Sequence, residues 1–158
     1  MAVQTAYSIN HAAKYAGMVN QMNPFDTVSR FNGTGATIGF GFGVVTDGTD
    51  GAKLPVAAST ATQFIGVAMR ELNRAYQDNE TFGAKDANDF TVVTSGRIAV
   101  VAGATVAKDE AVFLGVGSSV AGKFTNAAGT GVTLAVAIPN AKFEEAGVLD
   151  AALYVYFK

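Results

Sequence analysis

Thr37-Ile38-Gly39-Phe40-Gly41-Phe42-Gly43-Val44-Val45-Thr46 alternates large apolar residues with glycine. Successive side chains of a strand point to opposite faces, so Ile38, Phe40, Phe42 and Val44 share one side and Gly39, Gly41 and Gly43 the other. The pattern predicts one strand over 37–46, its apolar side in a core. Its glycine side lets another backbone or sheet come close. Asp47-Gly48 and Asp50-Gly51 supply turn chemistry directly after it.

Working outward, short strand signals recur. Phe64 to Met69, Ala111 to Val116 and Gly122 to Thr125 each read as a strand. Phe90 to Thr94 and Arg97 to Val101 flank Ser95-Gly96, where a bulge or tight bend is expected. From Val132 to Ile138, Val132, Leu134, Val136 and Ile138 alternate with Thr133, Ala135 and Ala137. At the end, Leu153, Val155 and Phe157 face one way. Many strands with no convincing long amphipathic helix between them predict an all-β fold, a β-sandwich or jelly-roll-like body or a small barrel. Strand order is not written in alternation, so these stay open. Residues 36–158 form this body as a single β-rich domain.

Residues 1–35 read as an amino-terminal arm. His11 to Met22 has partial helical spacing, interrupted by Gly17 and stopped by Pro24. The rival reading is an extended segment whose apolar anchors pack on something else. Those anchors, Tyr7, Ile9, Tyr15, Met18, Val19, Met22 and Phe25, are the candidate partner-binding residues. Leu72 to Ala87 looks like a long polar connection, and such connections are often binding loops.

The chain has 158 residues, enough to bury a core without staples. Charged residues make up 15% and hydrophobic ones 49%, whereas soluble domains carry roughly 25% charge. So bland a surface is expected to be partly covered by another protein. A net charge of −2 and a pI near 5.3 argue against direct nucleic-acid binding. No apolar run is long enough to span a bilayer, and the first residues lack the pattern of a signal peptide. With no Cys and His11 as the single histidine, there is no disulfide framework, thiolate zinc site or two-histidine metal motif. No cofactor and no metal are expected.

Motifs that touch chemistry are weak. Gly117-Ser-Ser-Val-Ala-Gly122-Lys123-Phe124 fits a phosphate loop until its last position, where Phe124 lacks the hydroxyl that binds Mg²⁺, and the residues after it make a poor helix. Gly117-Ser-Ser119-Val-Ala121 half-resembles a nucleophile elbow, but the only candidate base, His11, lies in the arm. Asp47-Gly-Thr-Asp50-Gly51 has too few oxygens for an EF-hand and reads as a turn. Glu144-Glu145 reads as a solvated turn. Asn32-Gly-Thr34 and Asn79-Glu-Thr81 spell glycosylation sequons only. No catalytic residue is expected, and the protein reads as a non-enzyme.

The order of features resembles the structural cement, or capsid decoration, proteins of tailed bacteriophages. The resemblance is carried by Tyr7-Ser-Ile9 through Ala16-Gly-Met18, Ile38 to Val45 and Phe64-Ile-Gly-Val-Ala68. Phe90 to Val100, Val106 to Phe113, Ala137 to Phe143 and Leu153-Tyr-Val-Tyr156 continue it along nearly the whole chain. It implies a β-rich body docked on the outer surface of an icosahedral head in the virion, made in the host cytoplasm. The partners it implies are the major capsid protein, whose neighbouring subunits it would bridge, and itself, as a homodimer or homotrimer. The alternative reading is a soluble β-sandwich binding module for carbohydrate or a host surface. Such modules usually present an aromatic platform with Trp, which this chain lacks.

Overall fold

A computed structural model of the chain describes residues 14–20, 22–71 and 83–158. Its strands, in chain order, are β1 (Asp26–Asn32), β2 (Ile38–Gly39), β3 (Gly43–Thr46), β4 (Ala52–Lys53), β5 (Phe64–Ala68) and β6 (Gly83–Ala84). They continue as β7 (Asn88–Val101), β8 (Ala111–Gly115), β9 (Phe124–Thr125), β10 (Ala135–Phe143) and β11 (Ala152–Phe157). Two 3₁₀ turns, Ala61–Gln63 and Gly131–Thr133, are the helical elements among the described residues. The fold is all-β.

One sheet runs β4-β3-β5-β7-β11-β10-β8-β9, with β1 added on β7, while β2 and β6 pair separately. The sheet curls into a half-barrel. Its two ends meet where Gly43 N–H donates to the Gly122 carbonyl at 2.7 Å. Leu114 of β8 and Phe124 of β9 occupy the space a side chain at Gly43 would need. The expected close approach at the glycine face is therefore real, and it is what lets the sheet curl.

The spine is β7. Residues 88–95 pair with β1, Val92 and Val93 also pair with β5, and residues 96–101 pair with β11. The expected break at Ser95-Gly96 is a distortion inside one continuous strand. Gly96 has φ +112°, and the register of β1 shifts between Asp26 and Thr27 across from it.

Neighbouring residues of β3 and β7 point to opposite faces, and both faces are covered. Val45, Val93, Ile98, Leu114, Phe124, Phe143, Val155 and Phe157 belong to the main core. Val44, Val92, Ile38 and Phe90 belong to a second cluster on the other side. Runs such as Val44-Val45 and Val92-Val93 follow from a sheet buried on both sides. The rings of Phe64, Phe124 and Phe157 lie 5.7–6.3 Å apart at the centre of the main core. Such aromatic contacts add about 0.5–1.5 kcal/mol per pair beyond area burial.

Three expectations need correction. The strand expected over 37–46 is split into β2 and β3 by a turn at Phe40-Gly41, with Gly41 at φ +78° and Phe42 N–H bonded to the Gly39 carbonyl at 3.3 Å. Its halves pair with different partners, β2 with β6 and β3 with β4 and β5, so one straight strand could not serve both. At 132–138, Val132 is 61% exposed and Ala135 is buried. A 3₁₀ turn occupies the start of that run and β10 begins only at Ala135, which moves the apolar alternation off its expected face. Finally, Glu144 and Glu145 are each ion-paired rather than simply solvated.

Most of the connection expected over 72–87 lies outside the described residues, and its last part carries β6. Of the two sequons, Asn32 is fully buried. Its Nδ2 donates to the carbonyls of Ala36 and Ala84, each at 2.9 Å, and its Oδ1 accepts from Thr34 Oγ1 at 2.8 Å. That amide is a structural clip, closed to a glycan. Asn79 lies outside the described residues.

Candidate interaction surface

Residues 14–20 form a strap across the body, extended rather than helical except for a turn at Ala16-Gly17. Its backbone is tied down on two sides. Gly17 N–H donates to the Ala99 carbonyl at 2.7 Å, Ala99 N–H to Met18 at 2.9 Å, and Asn20 N–H to Arg97 at 3.0 Å. On the β5 side, Arg70 N–H donates to the Gly17 carbonyl at 2.8 Å. Glycine is needed at this crossing. Its φ is +77°, and a Cβ would stand 2.8 Å from both Ala68 O and Arg70 N.

The anchors expected in the arm divide among several places. Tyr7 and Ile9 lie outside the described residues. Val19 is half-buried, bridges to Ile98 and packs on the main core. Tyr15 and Met18 are exposed by 50% and 41% and, with Val19, line a groove of about 560 Å³. The groove is completed by Met69 and Arg70 beyond β5 and by Tyr154 of β11. The Arg70 guanidinium stands 4.8 Å from the centre of the Tyr15 ring, a cation–π contact that holds the ring in place. Met22 is exposed away from this groove, and Phe25 lines a separate cleft with Tyr156 and Lys158. The structure thus brings three anchors together and leaves two apart.

Sequence reasoning missed the body's half of the surface. Tyr154 and Arg97 occupy outward positions on strands whose alternate residues are core, which is the signal that could have marked them. The Arg97 guanidinium lies 4.3 Å from the Tyr154 ring centre and Lys14 Nζ 5.5 Å from it. Arg97 is also paired with Glu144, and Lys14 with Glu145. The Glu145 carboxylate further accepts the Tyr154 N–H at 2.7 Å. Partial burial pushes this carboxyl up, but Lys14 and the Tyr154 N–H outweigh it and hold it below the usual glutamate value.

A second groove, of about 420 Å³, is lined without a single charged residue. Val56 and Val132 stand exposed at its rim, and Gly117 and Ser118 belong to the loop between β8 and β9. That loop is the phosphate-loop lookalike. It leads into a strand rather than a helix, and Lys123 Nζ bonds Asp150 Oδ1 at 2.6 Å. Nothing there presents a row of amides to a phosphate. The Asp47 loop is a closed turn, its Oδ1 accepting the Thr49 N–H and hydroxyl, each at 2.8 Å. Among the described residues, no three His, Asp or Glu side chains cluster in a way that could hold a metal ion. Nor is any helix there long and apolar enough to cross a membrane.

Such faces define a protein that works by contact: an all-β body with apolar grooves and a strap laid along its spine strand. The chain belongs to the structural cement protein family described by E217 gp24 and Pam3 gp6, whose family model matches residues 3–154. It is a bacteriophage capsid cement, or decoration, protein. A chain from a solved structure of the capsid of Myoviridae phage XM1 has a similar fold. Its TM-score is 0.74 at 21% identity, covering 100% of this chain and 98% of that one. Among curated proteins, nothing matches the chain.

Proposed function

We propose that this protein binds the outer surface of the phage head, bridges neighbouring major capsid subunits and stabilises the mature shell. It does so as a homo-oligomer, through contact alone and without catalysis. The observation that carries the reading is the groove beside the strap. Tyr15 and Met18 stand half out of the body although the Met18 carbonyl is bonded to Ala99 N–H and the Tyr15 ring is held against Arg70, so their apolar area is preorganised for a partner. The uncharged groove at Val56 and Val132 supplies a second contact face, as a bridge between two subunits requires.

Stabilisation follows from linkage. A protein that binds only the assembled shell favours it by about 2.7 kcal/mol per site at a free concentration 100 times Kd. Many sites on one shell, and more than one site per oligomer, make the effect collective.

The test is co-sedimentation of the full chain with heads that lack it. Tyr15→Ser with Met18→Ser should weaken binding at least tenfold while the unfolding midpoint of the free protein stays unchanged. Binding equal to that of the unaltered chain would remove the strap groove from the mechanism. Val132→Ser tests the second face in the same assay.

A further inference from the structure

We propose that residues 14–20 are a strap closed by an ionic latch, in which the Lys14–Glu145 and Arg97–Glu144 pairs converge on the Tyr154 ring. Salt and acid loosen the strap without unfolding the sheet. The latch is a property of the isolated protein. Only its consequence, that the capsid meets a strap whose docking is tuned by salt and pH, rests on the reading above.

Among the described contacts the strap's backbone makes four hydrogen bonds to the body, all within residues 17–20. At residue 14 the Lys14 side chain reaches Glu145 in the turn between β10 and β11 and lies over the Tyr154 ring. Tyr15 and Met18 contribute little burial of their own, since both are about half exposed, and Val19 alone packs on the core. The Lys14–Glu145 pair therefore adds a salt-sensitive tether to the four backbone hydrogen bonds and the packing of Val19, whereas the sheet is held by its core. Partly exposed ion pairs weaken with ionic strength, and burial of apolar surface does not.

Among the described residues, four groups face Glu145. Lys14 comes from the strap, Arg97 from β7, Tyr154 N–H from β11 and Glu144 from its own turn. The two cations balance the two carboxylates, and Tyr154 lies against both cations. Removing charge at Glu145 takes away the ion-pair tether of the strap at Lys14. Protonation of Glu145 does the same, so docking is complete above the ordinary glutamate range and is lost as the pH falls through the lowered value.

Amide hydrogen exchange on the full chain tests this. The reporters are the amides of Gly17, Asn20, Ala99 and Arg70, and the reference amides are Gly115 and Val116, which bond to Lys123 and Leu134. Glu145→Gln keeps an acceptor for Tyr154 N–H and removes the charge. Strap amides should then exchange about two- to fivefold faster at low salt. In the unaltered chain, added salt should raise the same amides toward the variant's rates, and in the variant that salt response should vanish. The reference amides should not move. Equal strap protection in both proteins at every salt concentration overturns the latch, and so does a parallel rise of strap and reference amides. Lys14→Gln, placed on the strap itself, repeats the test should the variant disturb the β10–β11 turn.

Discussion

The Gly17 N–H and the Ala99 carbonyl lie 2.7 Å apart, and the Gly17 carbonyl in turn accepts the Arg70 N–H at 2.8 Å. One residue of the strap thereby joins the spine strand β7 to the segment leaving β5. Close to it, Val101 N–H reaches the Gly41 carbonyl at 3.1 Å, and a Cβ at Gly41 would stand 2.8 Å from Gly17 N. Two glycines at positive φ share this crossing because no side chain fits between three backbones.

Gly17→Ala should therefore loosen the strap. An alanine at φ +77° costs about 1–2 kcal/mol before its Cβ meets Ala68 O and Arg70 N. The expected outcome is faster exchange at Asn20 and Ala99, with circular dichroism of the sheet retained. Unchanged exchange at those amides would show that the crossing relaxes.

Gly43→Ala acts at the seam of the half-barrel. The added Cβ would lie 2.5 Å from Leu114 Cδ1 and 2.7 Å from Phe124 Cζ. Overpacking of this kind costs about 1–3 kcal/mol, and a lowered urea midpoint with an unchanged slope is expected. Gly48→Ala is the contrasting case: unlike Gly43 it has a positive φ, +100°, and nothing lies within 4 Å of its Cβ, so backbone strain is added without a clash.

Asn32→Asp keeps the shape of the side chain and removes two donors. The carbonyls of Ala36 and Ala84 then face an acceptor in a fully buried site. A loss of about 2–4 kcal/mol is expected, read by thermal unfolding. Near-native stability would mean that the β1–β2 turn rearranges to supply new donors.

Acid should destabilise the protein through Glu110 and Glu145. The Ala107 N–H at 2.7 Å, and then Asn126 Nδ2 at 2.8 Å, hold the Glu110 carboxyl below its ordinary value. For Glu145, burial pushes up and is outweighed by Lys14 and Tyr154 N–H. Both groups bind protons less readily folded than unfolded. Their contribution is thus present above the unfolded value and lost as the pH falls through the lower folded one. Measured from pH 7 to pH 3, the unfolding midpoint should drop. Glu110→Gln and Glu145→Gln should start lower at pH 7 and converge on the unaltered chain as the pH falls.

Much of the fold was legible because strand alternation is local. Leu153, Val155 and Phe157 point inward as their spacing required, and β5 and β8 lie where their apolar runs stand. The distortion at Gly96 and the close approach at Gly43 were legible too, because glycine marks places where a side chain has no room. The split at Phe40-Gly41 was not, since it depends on which strands pair with each half. Val132 was misplaced for a similar reason: a 3₁₀ turn from Thr130 resets the alternation before β10 begins.

Of the contact surface, the sequence marked Tyr15, Met18 and Val19 through their apolar character in a weakly patterned segment. It could not mark Arg70 or Glu145, which are ordinary polar residues until folding carries them to the strap. Alternation, glycine spacing and low charge are written in neighbouring residues, so the chain by itself determined an all-β body that expects cover. Which groove forms, and which cation meets which carboxylate, depends on contacts between residues as far apart as Lys14 and Glu145. Only the curled sheet decided those, because long-range pairing is set by the packing of the whole core rather than by any local preference.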